Sequence, residues 1–127
     1  QAPFGLFNQK LLRSGVLEDA ALSSKILYAR SLFNRGLLFS SKELLSSYGE
    51  ELFSLVAELS EYLKPTNISL SRFAIDFVLR QQFFNGAVVG FDSVSQLQDC
   101  FSNDFEENVL NIPEEFFERA SNIQFTY

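Results

Sequence analysis

Ile26-Leu27-Tyr28-Ala29-Arg30-Ser31-Leu32-Phe33 decides how the rest of this chain reads. The segment leans to β structure at its start and is apolar on both faces except at Arg30 and Ser31. That is the pattern of a buried parallel strand whose polar residues gather at one end. Gly36 breaks it. A second run, Ala87-Val88-Val89-Gly90, follows Asn85-Gly86 and is too apolar for a sheet edge.

Helices are expected around both strands. Upstream, Asn8 is placed to cap a short helix over 9–14 with Gly15 as its left-handed stop, and Val16 to Leu22 adds a turn or two. Downstream, Ser40 and Glu43 have capping-box spacing. Leu52, Leu55, Val56, Leu59 and Leu63 then form one helical stripe, stopped by Pro65. Ser69 caps the next helix, Ile68 and Phe73 are spaced as a hydrophobic staple, and Leu70, Phe73, Ala74, Phe77 and Val78 make its core face. Ser93 and Gln96 form a further capping box, opening a helix through Leu97 and Phe101. Pro113 starts the last helix, with Glu114 and Glu115 in its first turn. Strand, helices, strand, helices is an α/β rhythm. Two strands make no stable parallel sheet alone, so residues 1–127 read as an incomplete domain cut from something larger.

Composition narrows the chemistry. The 127 residues are 46% hydrophobic, enough for a real core. There is no His, which removes Ser-His-Asp and Cys-His catalysis and histidine-ligated metals. Cys100 is the single cysteine, so it closes no disulfide within the chain, and it reads as a packed small hydrophobe. A net charge of −6 argues against binding a nucleic-acid backbone. No apolar run approaches a membrane span and no secretory signal opens the chain, so a cytoplasmic location is expected. Charge is uneven: residues 1–42 carry +4 and the remainder −10. The pairs Glu50/Glu51, Glu106/Glu107 and Glu114/Glu115 point to different sides of their helices and read as solvated faces. Fifteen Phe and no Trp suggest more aromatic surface than a small core needs, and hence a face meant for a partner.

Three landmarks carry a family resemblance. Gln1-Ala2-Pro3-Phe4, then Arg30-Ser31-Leu32-Phe33-Asn34-Arg35-Gly36-Leu37-Leu38, then Val89-Gly90-Phe91-Asp92-Ser93-Val94-Ser95-Gln96-Leu97 occur in order. Together they resemble the C-terminal part of the aldo-keto reductases, from the end of the sixth strand through the eighth and the helices that follow. Ser69 to Leu79 resembles the family helix between the last two landmarks, with Phe73 in a Leu place. The resemblance implies part of a (β/α)8 barrel, helix-rich with two full strands. It also implies a parent enzyme that reduces small carbonyl compounds with NADPH or NADH.

The cofactor site implied by the resemblance lies in the loops after the seventh and eighth strands. Ser31, Phe33, Arg35 and Gly36 belong to the first, with the hydroxyl, the cation and the backbone N–H groups around Gly36 suited to a pyrophosphate. Gly90, Asp92, Ser93 and Gln96 belong to the second, where a helix start favours an anion. Gln1 would hydrogen-bond the nicotinamide carboxamide. Arg30 stands where many relatives carry the aromatic that stacks on the nicotinamide, and Asp92 stands near the position where many NADPH users carry an arginine. Both are departures, and the second leaves the choice between NADPH and NADH open.

The family's catalytic Asp, Tyr, Lys and His lie on the first half of the barrel, and none maps onto this sequence. The isolated chain is therefore expected to be inactive and to bind the cofactor weakly or not at all. It is expected to pair with the missing N-terminal barrel strands or with itself. A non-enzymatic reading stands beside this one: an acidic helical module whose exposed Phe-rich faces bind a protein partner.

Overall fold

The computed structural model describes residues 1–101 and 111–124. Three short strands, β1 (Ala2–Pro3), β2 (Tyr28–Arg30) and β3 (Gly86–Val88), form one parallel sheet in chain order. Ala2, Ala29 and Ala87 stand in one row of that sheet, and Pro3, Arg30 and Val88 in the next. Helices α1 (Lys10–Arg13) and α2 (Val16–Leu22) connect the first pair of strands. Helices α3 (Lys42–Ser47), α4 (Glu50–Leu63) and α5 (Leu70–Leu79) connect the second. Helices α6 (Val94–Phe101) and α7 (Glu114–Ser121) follow β3.

The helical stripes bury as their spacing predicts. Leu52, Leu55, Val56, Leu59 and Leu63 are all buried on α4, while Glu50 and Glu51 stay exposed at its start. On α5, Phe73, Ala74 and Val78 are buried, and Leu70 and Phe77 pack at the margin of the core. Ser69 accepts the Arg72 N–H at 3.1 Å, the cap its position predicts. Pro65 does not stop α4 abruptly: it sits in a 3-10 turn, Lys64–Thr66, where Thr66 Oγ1 donates to the Leu63 carbonyl at 2.6 Å. Ser41 rather than Ser40 caps α3, accepting the Leu44 N–H, while Ser40 Oγ donates to the Gly36 carbonyl. Asn8 is not a cap either. It closes a tight bridge with Gly5, and Gln9 takes the cap position of α1 with its side chain turned back to the Leu6 carbonyl at 2.8 Å.

The strands differ more from expectation. β2 is only three residues long because Ser31 turns left-handed, with φ 62°, and takes Leu32 and Phe33 out of the sheet into the core. Burial along β2 alternates instead of covering both faces: Ala29 is buried, whereas Tyr28 and Arg30 lie exposed on the opposite face. Val89 and Gly90 lie beyond β3, and among the described residues β3 pairs with β2 alone, so this apolar run forms an edge after all. Asn85 aligns the two strands from outside the sheet. Its N–H donates to the Leu27 carbonyl and its Oδ1 accepts the Leu27 N–H, both at 2.8 Å.

The phenylalanines are mostly inside. Rings meet in a continuous path from Tyr62 through Phe116, Phe117, Phe77 and Phe4 to Phe84, with centroids 5.0 to 6.2 Å apart. This path stitches α4, α7 and α5 to β1. Arg119 on α7 adds an ion pair to Glu58 on α4 at 2.7 Å. Among the described residues Phe101 is the one Phe left exposed, and the Arg72 guanidinium lies over its ring at 6.0 Å. The Phe-rich binding face expected of an interaction module is therefore absent from these residues. Glu106 and Glu107 lie outside them.

Candidate functional site

The chain leaves the sheet at the carboxyl ends of β2 and β3 through neighbouring loops, where parallel α/β sheets place their ligands. The loop after β2 is conformationally unusual. Four of the six residues 31–36 hold positive φ: Ser31 at 62°, Asn34 at 48°, Arg35 at 60° and Gly36 at 82°. Outside glycine that conformation costs on the order of 1–2 kcal/mol per residue. Backbone bonds hold it: Asn34 N–H to the Ser31 carbonyl at 3.0 Å, and Phe39 N–H to the Gly36 carbonyl at 3.0 Å. Gly5 supports the loop from below, since a Cβ there would lie 2.9 Å from the Leu32 carbonyl oxygen. Asn34 is buried, and both its amide nitrogen and its amide oxygen lack a partner among the described residues.

The loop after β3 is pinned to α6. Ser93 Oγ accepts the Gln96 N–H at 3.2 Å, and the Asp92 N–H donates to Gln96 Oε1 at 2.9 Å. This is a capping box reaching one residue further back than usual.

Between the loops lies a cleft of about 370 Å³ lined by Phe33, Arg35, Gly36, Phe39, Gly90, Phe91, Asp92 and Gln96. A smaller recess of about 150 Å³ shares four of these residues and adds Ser31, Leu32, Val88 and Val89. Phe33 meets Phe39 edge to face at 4.9 Å and Phe91 at 6.0 Å, so three phenyl rings border a cation, a carboxylate and an amide. Two sequence segments more than fifty residues apart thus contribute to one concave site.

Seven of the ten expected site residues come together here: Ser31, Phe33, Arg35, Gly36, Gly90, Asp92 and Gln96. Three line neither the cleft nor the recess. Gln1 is exposed before β1. Arg30 projects from the open face of the sheet, with Nη1 donating to Ser31 Oγ at 3.3 Å. Ser93 uses its hydroxyl in the cap. The sequence reading missed Phe39 and Phe91 as cleft walls. Phe91 was adjacent to the expected Gly90, but nothing in the linear pattern separates Phe39 from the apolar run before it.

Other reactive groups are structural. Cys100 is fully buried, and burial pushes its thiol up, partly opposed by a hydrogen bond involving Ser71. Among the described residues no cluster of three His, Cys, Asp or Glu is placed to hold a metal ion, and no helix is long and apolar enough to cross a membrane. Compared with known proteins, the chain matches no family model, no curated protein and no solved structure.

Proposed function

We propose that this chain is the C-terminal, cofactor-binding part of an NAD(P)-dependent carbonyl reductase of aldo-keto reductase type, built on a (β/α)8 barrel. The observation that carries the reading is the cleft itself: the two loops expected to hold the dinucleotide meet at the carboxyl ends of adjacent parallel strands. Arg35 and the turn at Gly36 would hold the pyrophosphate, and the Asp92–Gln96 turn the adenosine side. The bound nicotinamide would supply the hydride for carbonyl reduction.

The sheet also supports an incomplete barrel. Parallel sheets are normally covered on both faces, yet Tyr28, Arg30 and Val88 are exposed on one face of this one. The partners proposed are the remaining barrel strands, or a second copy where those strands are lacking, in a cytoplasmic setting. By the resemblance, proton donation would belong to those other strands: the chain has no His, and its Tyr28 lies in β2, Tyr48 at the end of α3 and Tyr62 in the phenyl path of the core.

Titration of the chain with NADH and NADPH, read by backbone amide shifts, tests the reading. Shifts centred on residues 31–36 and 90–96, reduced in Arg35→Ala, are expected. Mixing with an aldehyde and reduced cofactor should give no turnover above background. Absence of any cofactor-dependent shift at millimolar ligand refutes the proposed function, and turnover by the chain alone refutes its reading as a part.

A further inference from the structure

Asn85 and Gly86 stand at the entry to β3, a strand that pairs with β2 alone among the described residues. Each has a structural reason to be there. Asn85 clips β3 to Leu27 with two hydrogen bonds of 2.8 Å, one through its backbone N–H and one through its side-chain oxygen. Gly86 leaves room for a neighbouring ring: a Cβ on it would lie 3.1 Å from Tyr28 Cε1 and 3.2 Å from Cδ1. Together they make the one Asn-Gly step in the sequence. That step is chemically labile, because a glycine nitrogen with no Cβ beside it is free to reach the asparagine side chain.

We propose that Asn85-Gly86 is a deamidation site gated by the sheet, open to reaction when β3 lifts from β2. The Gly86 nitrogen gives up its proton to solvent and attacks Asn85 Cγ. The Cγ–Nδ2 bond breaks, the amide takes up a proton and leaves as ammonia, and a five-membered succinimide remains. Water then opens the ring. Cleavage at the side-chain carbonyl leaves aspartate. Cleavage at the main-chain carbonyl leaves isoaspartate, whose backbone runs through Cγ and is one carbon longer. The clip opposes the first step: ring closure swings Cγ toward the Gly86 nitrogen, whereas the Leu27 N–H holds Oδ1 toward β2. Asn85 is exposed, so water and base reach it as soon as the clip opens. Release of a three-residue edge strand is a local event that costs less than global unfolding. Isoaspartate cannot restore the clip. It lengthens the path to Gly86 and adds a negative charge, so the two bonds to Leu27 lose their spacing. β3 leads into Gly90, Phe91 and Asp92, so the change is delivered to one wall of the cleft.

The test ages the 127-residue chain in mildly alkaline buffer, folded and in denaturing urea, and maps amide-to-acid conversion by peptide mass spectrometry. Isoaspartate is read by methylation with a protein isoaspartyl methyltransferase. In the folded chain conversion is expected at Asn85 ahead of every other asparagine. In urea it should run about tenfold faster or more, because two hydrogen bonds no longer oppose ring closure. The aged folded chain should lose hydrogen-exchange protection at the amides of β2 and β3. Asn85→Ser keeps a hydroxyl acceptor and cannot form the ring, so it should hold that protection over the same time. An Asn85 that never converts in the folded chain, whatever urea does, overturns the proposal. Equal rates folded and unfolded overturn the gate and the proposal with it. Loss of protection at the same pace in Asn85→Ser assigns the change to another cause and overturns it as well.

Discussion

The corner between α6 and α5 and the loop after β2 are built in opposite ways. At the corner, Ser69 Oγ accepts the Arg72 N–H and donates to the Asp99 carbonyl, and Ser71 Oγ reaches Asp99 Oδ2. Arg72 binds Asp76 at 2.9 Å and the Cys100 carbonyl at 3.2 Å. Polar groups there close on one another beneath a guanidinium–phenyl contact. The loop does the reverse. It keeps three non-glycine residues left-handed and leaves the buried Asn34 amide without a partner among the described residues. Strain and unpaired polarity persist only where surrounding structure holds them, and they cluster where ligands are recognised. Polar groups are satisfied at the corner, whereas the loop holds the strain and the unpaired amide that the proposed recognition would use.

The largest expected effect comes from breaking the corner. Arg72→Ala removes a mostly buried ion pair, a carbonyl contact and a ring contact together, and should lower unfolding free energy by about 3 kcal/mol. Urea denaturation measures it, and a loss below about 1 kcal/mol would mean the corner is not where stability resides. Asn34→Gly should act in the other direction. It removes two unpaired buried polar atoms and suits φ 48°, so stability should rise by about 1 kcal/mol. Destabilisation on the same measurement would show that the amide has a partner that matters. Arg35→Gly should likewise gain about 1 kcal/mol by relieving φ 60°, while weakening nucleotide binding. A variant that gained stability and kept affinity would separate strain from recognition.

The smallest effect belongs to a third, exposed junction, the start of α3. Glu43 is held below the usual carboxylate range by its own backbone N–H and then by the Ser41 hydroxyl. A lowered carboxyl pKa adds stability that is present above the unfolded value and fades as pH falls through the lowered one. The Glu43 carboxyl carbon should therefore titrate below an ordinary glutamate, and Glu43→Gln should flatten the acid dependence of α3 amide shifts. Titration at the ordinary value would place this junction with the unstructured surface.

These regions were not equally readable. Helix stripes such as Leu52 to Leu63 are legible because burial repeats with the helical period, and Ser69 because a hydroxyl just ahead of an apolar stripe has a physical job. Ser40 has a Glu three residues on and Ser41 a Leu, yet Ser41 is the cap, because the path of the backbone decides between them. Strand length was misread because the event that ends β2 is a left-handed Ser31, a state that serine rarely adopts and that leaves no pattern. That Gly90, Asp92 and Gln96 lie in one loop beside the turn at Gly36 was legible through landmarks along the chain. The clip from Asn85 to Leu27 was not, because it joins residues 58 apart and Asn85-Gly86 reads locally as a turn.

Pro3 gives the sheet a direction of growth. Phe4 N–H donates to the Arg30 carbonyl, so by the alternation of a strand the backbone of Pro3 faces away from β2. The outward position of β1 thus offers a carbonyl and no N–H. On the opposite border the same alternation turns Ala87 outward with donor and acceptor both intact. A strand arriving beside β3 can complete both bonds of a ladder step, whereas one arriving beside β1 meets an acceptor only. A strand added to this sheet would therefore find a complete ladder step at the β3 border and only half of one at the proline.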